Sequence, residues 1–139
     1  MDKHLYTAIT AALEAGKAIL EIYNTGDFDI QVKGDNSPLT KADIASHHKI
    51  VAYLEKTNIP ILSEEGKAIP YKVRKGWKQL WIVDPIDGTK EFVKRNGEFT
   101  VNIALIENQK PSIGVIFVPA TRDLYFSTKE KGAFKVSVD

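Results

Sequence analysis

Apolar positions recur at three- and four-residue steps near the start of the chain: Leu5, Ile9, Ala12, Leu13, Gly16, Ile19, Leu20 and Tyr23. One apolar stripe of that period predicts a helix, stopped near Asn24-Thr25-Gly26. A short extended piece follows at Phe28, Ile30 and Val32, then the loop Lys33-Gly34-Asp35-Asn36-Ser37-Pro38. Thr40-Lys41-Ala42-Asp43 has the spacing of a capping box, with Asp where Glu is usual. A second helix is therefore expected from about Lys41 to Lys56, running through Ile44, His48, Val51 and Leu54. Ile61-Leu62 reads as a short buried strand ending at Ser63-Glu64-Glu65-Gly66, and the basic stretch from Lys67 to Lys78 reads as loop. Leu80-Trp81-Ile82-Val83 is an apolar strand that runs into Asp84-Pro85-Ile86-Asp87-Gly88-Thr89.

The period then changes to two. Val101, Ile103 and Leu105 alternate, as do Ile113, Val115 and Phe117; Leu124-Tyr125-Phe126 forms a third run, and Phe134, Val136 and Val138 a fourth. Turn-forming clusters separate these runs, which predicts an antiparallel meander. Helices first and strands afterwards predict an α+β fold, with two long helices on a largely antiparallel sheet. The last strand should leave an unpaired edge unless something covers it.

Composition narrows the function classes. The 139 residues carry 19 Lys+Arg against 18 Asp+Glu, a formal charge of +1, which argues against a nucleic-acid module held by bulk positive charge. With no cysteine there is no disulfide scaffold, thiolate zinc site or cysteine nucleophile. No apolar run approaches the ~20 residues needed to span a bilayer, and the segment opening at Met1-Asp2-Lys3-His4 lacks a secretory apolar region. The expected location is the cytoplasm.

The sharpest candidate for chemistry is Asp84-Pro85-Ile86-Asp87-Gly88-Thr89, directly after an apolar strand. Pro85 biases Asp84 toward extended backbone, and Gly88 permits a tight turn with a close backbone approach. Two carboxylates at this spacing can aim oxygens at one point. Mg²⁺ takes oxygen ligands, usually one or two carboxylates plus substrate phosphate, and the Ile86 carbonyl could add another. A helix starting at Thr89 would turn its N–H groups toward an anion. The same residues also suit an ordinary β-turn. Haloacid-dehalogenase-type phosphatases place their aspartates two apart, so this spacing excludes that geometry. Glu64, at another strand end, could meet Asp84 and Asp87, or could be plain solvated charge. Asp43 could serve only its helix cap. His47 and His48 lie about 100° apart on a helix and cannot face one metal together, so one at the core edge and one exposed is expected. Lys33, Lys90, Lys94 and Arg95 are phosphate-binding candidates.

Three segments together resemble the inositol monophosphatase superfamily of metal-dependent, lithium-sensitive phosphatases. They are Lys33 through Ala45, Ile61-Leu62-Ser63-Glu64-Glu65, and Trp81 through Ala104, the last including Asn96-Gly97-Glu98-Phe99-Thr100-Val101-Asn102. Lys90-Glu91-Phe92 after the threonine resembles the 3'(2'),5'-bisphosphate nucleotidase branch. The resemblance implies a layered α/β sandwich and a site with two or three Mg²⁺ ions. It implies Glu64, Asp84, Asp87 and the Ile86 carbonyl as metal ligands, and Thr89 paired with Asp43 as the group that activates water. It implies substrate or phosphate contacts from Glu64, Ile86, Asp87, Gly88 and Thr89. The implied reaction removes the 3'-phosphate of adenosine 3',5'-bisphosphate to give AMP, a step linked to sulfate assimilation; inositol phosphate or fructose 1,6-bisphosphate are alternative substrates. A possible homodimer and peripheral association with the inner membrane are implied by resemblance alone. The family continues into a second domain with a further metal-ligand aspartate in a Trp-Asp-x-Ala-Ala-Gly-like motif, and nothing here matches it: Trp77 precedes Lys78 and Trp81 precedes Ile82. Residues 1–139 are thus expected to be the N-terminal, metal-binding phosphatase domain without its C-terminal partner, either a fragment or a truncated, non-catalytic module that binds metal or phosphate or pairs through its open edge.

Overall fold

A computed structural model describes residues 2–35 and 38–139. The loop residues Asn36 and Ser37 therefore lie outside the described residues. Helix α1 spans Lys3–Thr25, capped by the Asp2 side chain and ended by Gly26 in the left-handed region at φ 73°. A two-stranded ribbon, β1 (Gln31–Val32) with β2 (Pro38–Leu39), leads to α2 (Lys41–Leu54) and a 3-10 turn at Glu55–Thr57. Strand β3 (Ile61–Ser63) and β4 (Gln79–Asp87) follow, separated by a single helical turn, α3, at Tyr71–Arg74. That turn corrects the expectation of plain loop: Pro70 opens it at φ −57°, and Lys75 N–H closes it on the Tyr71 carbonyl. After α4 (Thr89–Val93) come β5 (Thr100–Glu107), β6 (Lys110–Val118), β7 (Asp123–Thr128) and β8 (Gly132–Ser137).

The six-stranded sheet has the order β3-β4-β5-β6-β7-β8. Strands β4 through β8 form the expected antiparallel meander, and β3 joins β4 in parallel. One parallel pair brings the ends of β3 and β4 to the same side, which puts Glu64 beside Asp84.

Both long helices pack on each other and on one face of the sheet, α1 against β5 and β6 and α2 against β4. Trp81, Phe99, Phe117, Ile19, Ile50 and Leu54 are fully buried between them. Burial of such a side chain contributes about 1.5–3 kcal/mol. The buried face of α2 is not the one its apolar residues suggest. Ala42, Asp43, Ser46, Ile50 and Leu54 are buried, while Ile44 and His48 are exposed. The helix turns its polar residues inward because the sheet end it covers carries the polar candidate site.

Among the described residues, no layer covers the other face of the sheet. Across the strands, Asp84, Asn102, Ile116, Tyr125 and Lys135 form one row, and Leu62, Ile82, Ala104 and Gly114 lie in the next. Ile82 and Ile116 are 43% exposed and Tyr125 is 39% exposed. Side chains of β8 are exposed along its length, and the Arg122 guanidinium donates to the carbonyls of Val138 and Asp139 beyond it.

Candidate active site

Helix α2 begins the site. Thr40 Oγ1 accepts from the N–H groups of Ala42 and Asp43, and Asp43 Oδ2 accepts from Thr40 N at 2.9 Å and from Thr40 Oγ1 at 2.7 Å. The capping box expected from the spacing is therefore complete. Asp43 is fully buried, yet its second oxygen is not spent on the cap: Oδ1 accepts from Thr89 Oγ1 at 2.9 Å. Asp43 thus caps its helix with one oxygen and holds the Thr89 hydroxyl with the other. A hydroxyl that donates to Asp43 presents its lone pairs elsewhere.

The Asp84–Thr89 segment is not a free turn. Strand β4 continues to Asp87, with a bulge between the pairs Asp84↔Asn102 and Asp87↔Thr100. Bulges redirect side chains, and here Asp84 and Asp87 reach the same cleft. The turn itself is at Gly88, φ 91°, where a Cβ would stand 2.9 Å from the Glu98 carbonyl oxygen. Glycine is required there by the protein's own backbone. Phe92 then anchors α4, packed with Phe28, Tyr23 and Phe99 at ring-centroid distances of 4.5, 5.3 and 5.2 Å.

Around this segment lies an open cleft of about 310 Å³, lined by Lys33, Glu64, Asp84, Ile86, Asp87, Gly88, Thr89, Lys90 and Glu91. It gathers the expected site residues, with Asp43 behind Thr89. Of the four cationic candidates, Lys33 and Lys90 line it, whereas Arg95 stacks over Tyr23 at 4.9 Å and Phe28 at 5.7 Å.

Electrostatics single out Asp84. Burial pushes its carboxyl from 3.8 to about 8, helped by a hydrogen bond and repulsion from Glu64, then by repulsion from Asp87 and Glu65. Its Oδ1 is buried without a hydrogen-bond partner among the described residues. Lys33 partly neutralises the cluster, 2.8 Å from Glu65 Oε1 and 3.7 Å from Glu64 Oε1. Burial works against the Lys33 charge, but the hydrogen bond to Glu65 and the Glu65, Glu64 and Asp43 carboxylates hold it above its ordinary value. For Glu65, whose side chain is 6% exposed, burial outweighs Lys33 and pushes the carboxyl up. A half-buried carboxylate, repelled by its neighbours and with one orphaned buried oxygen, suits a hard cation.

The donor set fits Mg²⁺: carboxylate oxygens from Glu64, Asp84 and Asp87 and the Ile86 carbonyl. Among the described residues, no three His, Asp or Glu side chains are arranged to hold an ion by themselves. Mg²⁺ commonly keeps several waters and binds through one or two carboxylates plus phosphate, so this sparse set remains a fit.

Several contributors were not evident from sequence. Asn102 Nδ2 donates to Asp87 Oδ2 at 3.2 Å, and Thr100 Oγ1 donates to Asn102 Oδ1 at 2.8 Å. Ser46 Oγ, fully buried, donates to the Pro85 carbonyl at 2.8 Å. His47 Nδ1 lies 2.8 Å from Ser63 Oγ, and its pKa is lowered by burial and by His48. His47 at the core edge and His48 exposed is the split expected. Ser46 and His47 share a helix face with Asp43 at i+3 and i+4, which is the signal that could have found them.

The chain belongs to the inositol monophosphatase family, which it matches over residues 1–138. It is 48% identical over 123 residues to 3'(2'),5'-bisphosphate nucleotidase CysQ of Escherichia coli (strain K12), covering 86% of this chain and 50% of that protein. The crystal structure of CysQ from Bacteroides thetaiotaomicron is similar, with TM-score 0.86 and 56% identity over 97% of this chain and 49% of that one. Extragenic suppressor protein suhB from Bartonella henselae has TM-score 0.88 at 28% identity, over 96% of this chain and 52% of the other. These likenesses bear out the layered α+β fold. The chain spans about half the length of the relatives it matches.

Proposed function

We propose that this chain is the N-terminal, metal-binding part of a Mg²⁺-dependent phosphatase that removes the 3'-phosphate of adenosine 3',5'-bisphosphate. The observation that carries the reading is the Thr89–Asp43 hydrogen bond at 2.9 Å, at the edge of a cleft lined by Glu64, Asp84 and Asp87. The substrate follows from the likeness to nucleotidases named CysQ, and the link to sulfate assimilation rests on that same likeness.

Glu64, Asp84, Asp87 and the Ile86 carbonyl are the groups that would hold Mg²⁺. When bound, the ions supply charge neutralisation and lower the pKa of a water. The residues of the chain do the rest. Thr89 Oγ1 directs its hydrogen to Asp43 Oδ1, so it accepts a hydrogen bond from the attacking water and fixes its direction. Asp43 is held by three donors, Thr40 N, Thr40 Oγ1 and Thr89 Oγ1, and cannot swing away. Gly88 and Thr89 offer backbone N–H groups, and Lys33 and Lys90 positive charge, to the phosphate. Water oxygen forms a bond to phosphorus, the bond from phosphorus to the 3'-oxygen breaks, and that oxygen takes a proton to give AMP and phosphate. Positioning and charge neutralisation suffice for such a transfer.

The test is phosphate release from adenosine 3',5'-bisphosphate, inositol 1-phosphate and fructose 1,6-bisphosphate by the protein carrying these residues, with and without Mg²⁺. Mg²⁺-dependent, Li⁺-inhibited release with the nucleotide preferred is expected. Undiminished release after Asp84→Asn overturns the assignment, and preference for a sugar phosphate moves the substrate.

A second reading is favoured by the exposed apolar side chains of Ile82, Ile116 and Tyr125 on the uncovered face of the sheet. In it the chain binds metal or phosphate without turnover and pairs with another copy. Mg²⁺ binding without product, together with concentration-dependent association, distinguishes it. Among the described residues no helix is long and apolar enough to cross a membrane. Peripheral contact with a membrane rests on family likeness, and vesicle co-sedimentation tests it.

A further inference from the structure

We infer that Ser46 is a positioning residue for the metal-bearing backbone, holding the Asp84–Asp87 bulge so that its oxygens converge. The inference rests on the metal reading above and concerns a residue to which that reading gives no part.

The bulge creates the need. Between Asp84↔Asn102 and Asp87↔Thr100, Pro85 and Ile86 on β4 face only Val101 on β5. The extra residue of a bulge loses its ladder partner. Pro85 has no N–H to anchor it, and a buried carbonyl left unpaired is costly. The Ser46 hydroxyl supplies the missing partner at 2.8 Å across 39 residues of sequence, from a fully buried position. Ser seldom lies fully buried in a helix without a task, since a hydroxyl removed from water must find a partner.

The geometry gives this bond more than a filling role. Asp43 and Ser46 stand one turn apart on the inward face of α2. Asp43 holds Thr89, the end of the hexapeptide, and Ser46 holds Pro85, near its start. A rigid helix thus fixes both ends of the segment that carries Asp84, the Ile86 carbonyl and Asp87. The fourth ligand is tied to the same frame, because Glu64 N–H donates to the Val83 carbonyl at 3.0 Å. Without Ser46, the bulge keeps its far anchor and loses its near one. Asp84 and the Ile86 carbonyl, on either side of Pro85, then lose their common aim.

The experiment is calorimetric titration of the chain with Mg²⁺, with Mn²⁺ as a second probe, alongside thermal unfolding. Ser46→Ala is compared with Thr57→Val, which removes the Thr57 hydroxyl bonded to Trp81 Nε1 at the opposite end of α2. Ser46→Ala is expected to weaken Mg²⁺ binding about tenfold, the scale of one buried hydrogen bond. Thr57→Val is expected to lower the melting temperature but bind Mg²⁺ as the parent does. Unchanged affinity in Ser46→Ala, or an equal loss in both variants, overturns the inference and leaves the metal reading standing. No Mg²⁺ or Mn²⁺ binding by the parent chain removes the metal reading and this inference with it. If Ser46→Ala does not fold, Ser46→Cys is titrated instead. It keeps the bulk but donates weakly, and parental affinity there overturns the inference equally.

Discussion

Asp43 shows how much one buried carboxylate can do when both its oxygens are used. One oxygen closes the cap of α2 and the other fixes the hydroxyl of Thr89. Thr89→Ala removes only the second duty, so kcat should fall about 10²–10⁴-fold, the usual worth of a positioned proton acceptor, with little change in KM or melting temperature. Steady-state kinetics beside a thermal melt checks this. Asp84 makes a prediction through pH. Its carboxyl sits at about 8 in the folded chain against 3.8 ordinarily, so the folded state holds more protons over that interval. The contribution of Asp84 to metal-free stability should be full below about pH 4 and be lost as pH rises toward 8, because stability falls wherever the native state binds more protons. Denaturant midpoints across pH measure the slope, and Asp84→Asn should flatten it. Equal slopes for the parent and Asp84→Asn between those limits contradict the electrostatic picture. Mg²⁺ needs the ionised carboxylate, so the stabilisation it gives should grow with pH over the same window.

Elements divide by how local their causes are. Helix α1 could be read from its stripe and its Gly26 stop, and the meander from strict alternation between turn clusters. The orientation of α2 could not, because its inward residues Asp43 and Ser46 are polar and their partners Thr89 and Pro85 lie 46 and 39 residues away. Nor could the bulge in β4, which depends on the register against β5. Gly16 illustrates the same dependence inside α1. Local propensity favours Ala there by about 1 kcal/mol. A Cβ, however, would stand 2.4 Å from Cε2 of the buried Phe117 ring on β6. Overpacking of a buried ring costs about 1–3 kcal/mol and should win, so Gly16→Ala is expected to lower the melting temperature. A rise would show that the ring yields freely.

Over the whole molecule, charge is nearly balanced, yet Glu64, Glu65, Asp84 and Asp87 crowd one end of the sheet. The cross-strand row that includes Asp84 continues as Asn102, Ile116 and Tyr125 on the uncovered face, so the candidate site borders an apolar surface without a layer over it. Exposed apolar rows of this kind mark contact surfaces. In the pairing reading, sedimentation should show association that rises with concentration and is lost in Ile116→Lys. A monomer at every concentration removes that reading.

The sequence by itself determined the two long helices, the meander and the identity of the acidic and threonine residues, because these follow from local period, turn chemistry and residue type. It also placed Glu64, Asp84 and Asp87 at strand ends, where a shared site was possible. Only the tertiary structure decided that they share one cleft, through the parallel pairing of β3 with β4. It alone decided that Asp43 reaches Thr89, that Ser46 holds the bulge, and that Lys33 sits against Glu65. Each of these needs two segments far apart in the chain to meet at hydrogen-bond distance, and no local pattern specifies such a meeting.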